Sequence, residues 1–270
     1  MQVFLVEEVE KASFFKKIVK KVEVCEDKVL LNFDCRNLKF GQKVKAVGSI
    51  KNLLEKNRVY KLIVSKKLKE DKDFVDLLYS NGIDIVNGKI LFKFLIKEIL
   101  NNICIKNNIR CEEMQISVAV NDVNSFVIDL VQELAKKFKT LNVVTNHVNY
   151  FKRVKENLWS DNGIVILLTN NKKKALAKAD IILNIDFPEE LINQFVIYDN
   201  SILVNLEESV KIRKKRFCGK IINDYNIKLK KGSNIEKCLE KEEYKNFDLK
   251  DLAEVYLMSN PKEMEDIIIL

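Results

Sequence analysis

The sequence predicts a doubly wound parallel α/β sheet, preceded by an α+β domain and followed by helices. Three observations carry this reading. Five short apolar runs recur between residues 116 and 206. Amphipathic or turn-forming stretches separate them, as right-handed crossovers require. The runs do not alternate polar with apolar residues, so both faces of each strand need cover, which is the pattern of a parallel sheet.

The α+β domain is expected over residues 1–112. Val3–Val6, Val22–Val24, Val29–Phe33 and Val59–Val64 read as strands, and Ser49–Lys56 and Asp71–Ser80 as short helices. Asn81-Gly82 and Asn87-Gly88 mark turns. Leu91, Phe94, Leu95, Ile99 and Ile103 then share one face of a long helix from about Lys89 to Ile105. The polar run Lys106-Asn107-Asn108 closes the domain.

The sheet domain is expected over residues 113–230. Ile116–Val120 is its first and central strand. A helix over 123–138 follows, with Val123, Phe126, Val127, Leu130, Val131, Leu134, Ala135 and Phe138 at 3–4 spacing. Leu141–Val144 is the second strand. Phe151, Val154 and Leu158 mark the next helix, with Trp159 expected in the core. Ile164–Leu168, Ile181–Ile185 and Ile202–Leu206 complete five strands, with a helix at Lys172–Ala179 and another at Glu189–Phe195 behind Pro188. Lys220–Ile227 reads as a sixth strand. Residues 231–270 read as helices packing back, with Ile267–Leu270 docked onto the protein.

Composition narrows the function. Of 270 residues only 7 are Gly, against roughly 19 in an average chain of this length. Phosphate-cradling loops are built from glycines, so the shortage counts against them. The net charge is +8. Lysines on solvated faces account for most of it, and nucleic acid is a disfavoured partner. The six cysteines, at 25, 35, 104, 111, 218 and 238, form no CxxC, and the single histidine has none nearby. No zinc spacing is present, so no metal is expected. All six thiols are expected free in a cytoplasmic protein, since the N-terminus turns acidic at once and shows no signal peptide. Ile90–Leu100 is interrupted by Lys93 and Lys97 and is too short to span a bilayer, so no membrane partner is expected.

In doubly wound sheets ligands bind outside the carboxyl ends of the strands. Here those ends carry Asn121-Asp122, Thr145-Asn146-His147, Thr169-Asn170, Asn184 with Asp186, and Asn205 with Glu207 and Glu208. These residues are the candidates for a small-molecule crevice. The same residue types also cap helices and start turns, and both readings stand. His147 is the one candidate general base of the usual kind, with no Ser or Cys partner in sequence. Lys211 to Arg216 is the densest basic run, read as a solvated loop.

These features resemble the NAD(P)-binding domains of the shikimate-dehydrogenase type. Thr145-Asn146-His147, with Lys152 and Arg153 one turn on, is similar to that family's Asn-Arg-Thr-like motif but lacks its Arg. Ala179-Asp180-Ile-Ile-Leu-Asn-Ile-Asp186 is similar to its Ala-Asp-apolar-Asn strand. The resemblance covers residues 115–228 and implies a Rossmann-like fold with NADP as cofactor. The first turn departs from it. Val120-Asn121-Asp122-Val123-Asn124-Ser125-Phe126 holds no glycine, and Asp122 would repel a pyrophosphate. The family's catalytic Lys and Asp motifs are not recognisable, and Ser65-Lys66-Lys67 does not replace them. The leading expectation is therefore a non-catalytic binding or regulatory protein with no cofactor. The alternatives are an NADP-dependent oxidoreductase with a divergent site, and a nucleic-acid-associated protein using the basic loop.

Overall fold

A computed structural model describes residues 2–7, 19–25, 28–33, 39–59, 61–163, 165–233, 236–237, 244–257, 262 and 264–270. In chain order the elements are β1 (Gln2–Glu7), β2 (Val19–Cys25), β3 (Lys28–Phe33), α1 (Phe40–Lys56), β4 (Lys61–Val64), α2 (Lys66–Lys69), α3 (Lys72–Ser80), β5 (Asp84–Ile85), α4 (Lys89–Phe94) and α5 (Ile96–Lys106). Then come β6 (Gln115–Ala119), α6 (Ser125–Lys137), β7 (Thr140–Val144), α7 (Val148–Asn162), β8 (Leu167–Thr169), β9 (Ile181–Asn184), α8 (Glu189–Ile192), β10 (Ile202–Asn205) and β11 (Lys220–Ile222). Last are β12 (Tyr225–Leu229), α9 (Leu249–Leu257) and β13 (Met264–Ile269). The chain divides into two compact units, residues 1–91 with 227–266, and residues 92–226 with 267–270.

The first unit is built on a five-stranded sheet of order β2-β3-β1-β4-β5. Its neighbours run parallel except β2 against β3. Side chains of β4 alternate between two cores, as the pleat requires. Leu62 and Val64 pack with Val47, Ile50 and Leu54 of α1 and Phe74 and Leu78 of α3. Ile63 packs on the other side with Val86, Tyr244, Phe247 and Leu252. The α1 contacts recur every three to four residues, which is why this stretch forms a helix with one buried face. Asp71 caps α3 by accepting the Phe74 amide at 3.2 Å and pairs with Lys43 of α1 at 2.7 Å. The Asp71 hydrogen bond holds the Lys43 ammonium above its ordinary value.

The second unit holds a six-stranded sheet of order β11-β10-β9-β6-β7-β8, every pair parallel. Renumbered along the domain, this is the 3-2-1-4-5-6 order of the Rossmann fold. The first strand is central, and strand order reverses between β6 and β9. Val127, Leu130, Val131 and Leu134 form the buried face of α6. Asn124 caps its start through the Val127 amide at 3.0 Å. Gly163, at φ 64°, ends α7 in the left-handed conformation. The turn and loop region around α8 supplies Leu176, Phe187, Ile192 and Phe195 to a core under Ile182 and Leu203.

Several expectations need correction. The helix expected over 89–105 is two helices, α4 and α5, parted at Leu95. Leu91, Leu95, Ile99 and Ile103 are buried while Phe94, expected on the same face, is exposed, so the apolar period runs through a break that only the backbone shows. Residues 172–179 form turns, not a helix. Three consecutive lysines leave too little apolar face there, and Leu176 instead bridges to Ile197. Trp159 is 66% exposed, because it stands one residue, about a quarter turn, past the buried Leu158. Strand 164–168 shifts to Leu167–Thr169, and Ile164 lies outside the described residues. The expected sixth strand splits into β11 and β12, and β12 joins β13 in a separate two-stranded sheet. A strand thus occupies 264–269, where a helix was expected. Cys104 and Cys111 are joined in a disulfide, against the expectation of free thiols, their Cα atoms 6.2 Å apart. Cys218 is free and exposed. Among the described residues no helix is long and apolar enough to cross a membrane.

Candidate crevice at the strand ends

The crevice is set by the reversal of strand order between β6 and β9, whose carboxyl ends lie side by side. The pairing continues past β9, where the Ile185 amide donates to the Ala119 carbonyl at 2.9 Å. The next residue, Asp186, then meets the first strand-to-helix turn. Its carboxylate accepts the Asn121 amide at 2.8 and 3.0 Å and the Asp122 amide at 2.7 Å. Asn184 fixes the turn that presents it. The Asn184 side chain accepts the Phe187 amide and donates to the Phe187 carbonyl, each at 2.9 Å.

The half-buried Asp186 carboxyl is pushed above its ordinary value, first by burial. The two amides oppose that rise, and the charges of Glu207 and Asp122 add to it. Glu207 is itself paired with Lys93 at 2.6 Å. Asp122, Asp186 and Glu207 thus stand near enough to one another for their charges to interact at the rim.

Sequence candidates other than His147 and Asn170 fall into three groups. Asn121, Asp122, Asn146 and Asp186 form one connected network, in which Asn121 also accepts the Asn146 amide at 3.0 Å. Asn184 and Asn205 form a buried ladder with Asn223 across β9, β10 and the segment after β11. Thr145 and Thr169 turn back on their own loops, accepting the His147 amide at 3.0 Å and the Asn171 amide at 3.1 Å. Asn170 is exposed. His147 is exposed at the start of α7, its ring 5.8 Å from that of Tyr150. Lys152, Arg153 and Glu208 are exposed. Among the described residues no group of three or more His, Cys, Asp or Glu side chains is placed to hold a metal ion.

The basic loop is fastened by residues that carry no signal in the sequence. Glu189 accepts from the Arg213 guanidinium at 2.9 and 2.5 Å and from the Lys211 amide at 3.1 Å. Asn193 accepts the Arg213 amide at 2.9 Å. Lys214 Nζ donates to the Phe195 carbonyl. A first-turn acid after Pro188 reads as an ordinary helix start, so its partner 24 residues on is invisible in the chain.

No family model matches the sequence, and no curated protein matches it. Among solved structures the chain is similar to a shikimate dehydrogenase in complex with NADP+, at 12% identity over 88% of this chain and 82% of that one, TM-score 0.39. It is similar to the apo D-mandelate dehydrogenase of Rhodotorula graminis, at 8% identity over 97% and 93%, TM-score 0.39. It is also similar to the L-tryptophan dehydrogenase of Nostoc punctiforme, at 12% identity over 70% of this chain, TM-score 0.32, and spans 53% of that enzyme's length. The Rossmann-like assignment stands on the strand order itself.

Proposed function

We propose that this is a Rossmann-like binding or regulatory protein whose dinucleotide turn has been closed from within. The observation that carries the reading is Asp186. In a dinucleotide-binding domain the first strand-to-helix turn brings backbone amides to the pyrophosphate. Here the amides of Asn121 and Asp122 already hold a carboxylate of the same chain. A pyrophosphate would have to displace it and then sit beside Asp122, Asp186 and Glu207. Each such like-charge contact costs roughly 1–4 kcal/mol at a few ångströms, depending on solvent. The glycines that would give phosphates room are replaced by Asn121, Asp122, Asn124 and Ser125. A neutral or cationic small molecule suits this crevice better than a nucleotide.

Calorimetry on the purified protein tests the proposal. NAD(H) and NADP(H) should bind no tighter than about the millimolar range, since each ~1.4 kcal/mol is tenfold in affinity. Micromolar binding of either would overturn the reading in favour of an NADP-dependent oxidoreductase, with Asn146, His147 and Arg153 the first residues to replace.

A further inference from the structure

A cavity of about 280 Å³ lies in the first unit, beside the edge strand β5. Ile85, Val86 and Ile90 give it apolar walls, and the exposed Tyr79 adds an aromatic ring. Among the described residues its charged lining comes from Lys61, Asp84 and Glu254. Lys61 and Asp84 are register partners on the parallel strands β4 and β5. Partners in register stand side by side on one face of a sheet, so these opposite charges offset each other. Glu254 is not in a strand pair, and the cation nearest to it in sequence on its helix is Lys250, one turn earlier. Glu254 comes from α9 and is only 3% exposed. One of its oxygens, Oε2, accepts the Ile90 amide at 3.1 Å, near the start of α4. A carboxylate so far removed from water is stabilised by a countercharge, and none of the ion pairs within 4 Å among the described residues includes it.

We propose that this cavity binds a small organic ammonium ion, with the second oxygen of Glu254 as its anchor. The volume lies at the low end of ligand sites, so the guest has only a few heavy atoms. The apolar walls take its hydrocarbon body, and the Tyr79 ring face attracts its charge. Among the described residues two carboxylates line it against one lysine, a negative balance that disfavours a carboxylate guest. This site is independent of the crevice at the strand ends.

The test compares n-butylamine with butyrate, molecules of like size and opposite charge, by calorimetry at neutral pH on the full chain. The amine should bind and butyrate should not. Glu254→Gln keeps an oxygen for the Ile90 amide while removing the charge, and it should weaken amine binding about tenfold or more. Thermal melting shows whether the variant is folded. If it is not, Tyr79→Ala alters an exposed side chain and should weaken the amine in its place. The proposal is overturned if the native protein fails to bind n-butylamine, if butyrate binds as well, or if a folded Glu254→Gln binds the amine unchanged.

Discussion

Two acids are raised by burial, and their surroundings give them different behaviour. Asp186 is held by two backbone amides, so its loss leaves donors without an acceptor. Asp186→Asn should cost about 1–3 kcal/mol in urea unfolding, because the new NH₂ group faces one of those amides. An unchanged midpoint would show that the contact does not bear on folding. Asp251 is fully buried on α9 and shares Lys69 of α2 with Asp248. Among the described residues its Oδ1 has no hydrogen-bond partner, and burial pushes its carboxyl up to about 6 against the pull of Lys69, with Asp248 adding to the rise and Lys250 opposing it. The folded chain therefore holds this proton more tightly than the unfolded one. Its stabilising effect is complete below about pH 4, declines as pH rises to about 6, and is constant above that. Asp251→Asn removes the titration. Relative to wild type, the variant should gain up to roughly 3 kcal/mol between about pH 4 and about pH 7.5. Urea unfolding at both pH values measures the gain, and a pH-independent difference would contradict it. The sequence made the polar residues at the strand ends visible, since each follows an apolar run. It could not show that Asp186 folds onto amides 65 residues earlier, because that contact depends on two strands becoming neighbours.

At the scale of elements, periodicity identified what packing rewards and missed what it leaves alone. The buried faces of α6 and α7 were legible, while residues 172–179 were not, because their lysines stay in solvent and their backbone is held by long-range bonds such as Val196 N to Lys172 O at 2.7 Å. The connection from α5 to β6 was marked by its polar residues, but pairing of Cys104 with Cys111 needs their Cα separation, which spacing alone does not supply. Maleimide labelling of the native, unreduced protein should modify Cys218 and spare Cys104 and Cys111, as read by peptide mass mapping. Reduction should lower stability by roughly 2–3 kcal/mol for so short a loop. Gly219 shows a second local constraint. A Cβ there would lie 2.0 Å from the Ser201 carbonyl oxygen and 2.8 Å from the Phe217 ring. Gly219→Ala must therefore push the backbone at the start of β11 away from β10. It should cost about 1–3 kcal/mol, seen as a lower urea midpoint, whereas Gly163→Ala, where no neighbouring atom is within 4 Å, meets only its left-handed φ and should cost about 1 kcal/mol.

For the molecule as a whole, the parallel sheet of the second unit was the most legible feature, because strands buried on both faces are near-continuous apolar runs, broken here only where a buried Asn or Ser finds a hydrogen-bond partner. Ile181–Asn184 is buried throughout, and Leu203 to Asn205 likewise. Both edges of that sheet, β8 and β11, are three residues long. An edge strand offers unpaired amides and carbonyls on which another chain can grow, and the hazard rises with the length and flatness of the edge. Three residues offer too few groups to hold an incoming strand, even though Leu167 is an exposed hydrophobic on β8. The two longest strands of the sheet that have five residues, β6 and β7, lie in its interior. The second unit's parallel sheet thus keeps its longest strands sequestered and leaves at its own borders only fragments too short to seed a fibril.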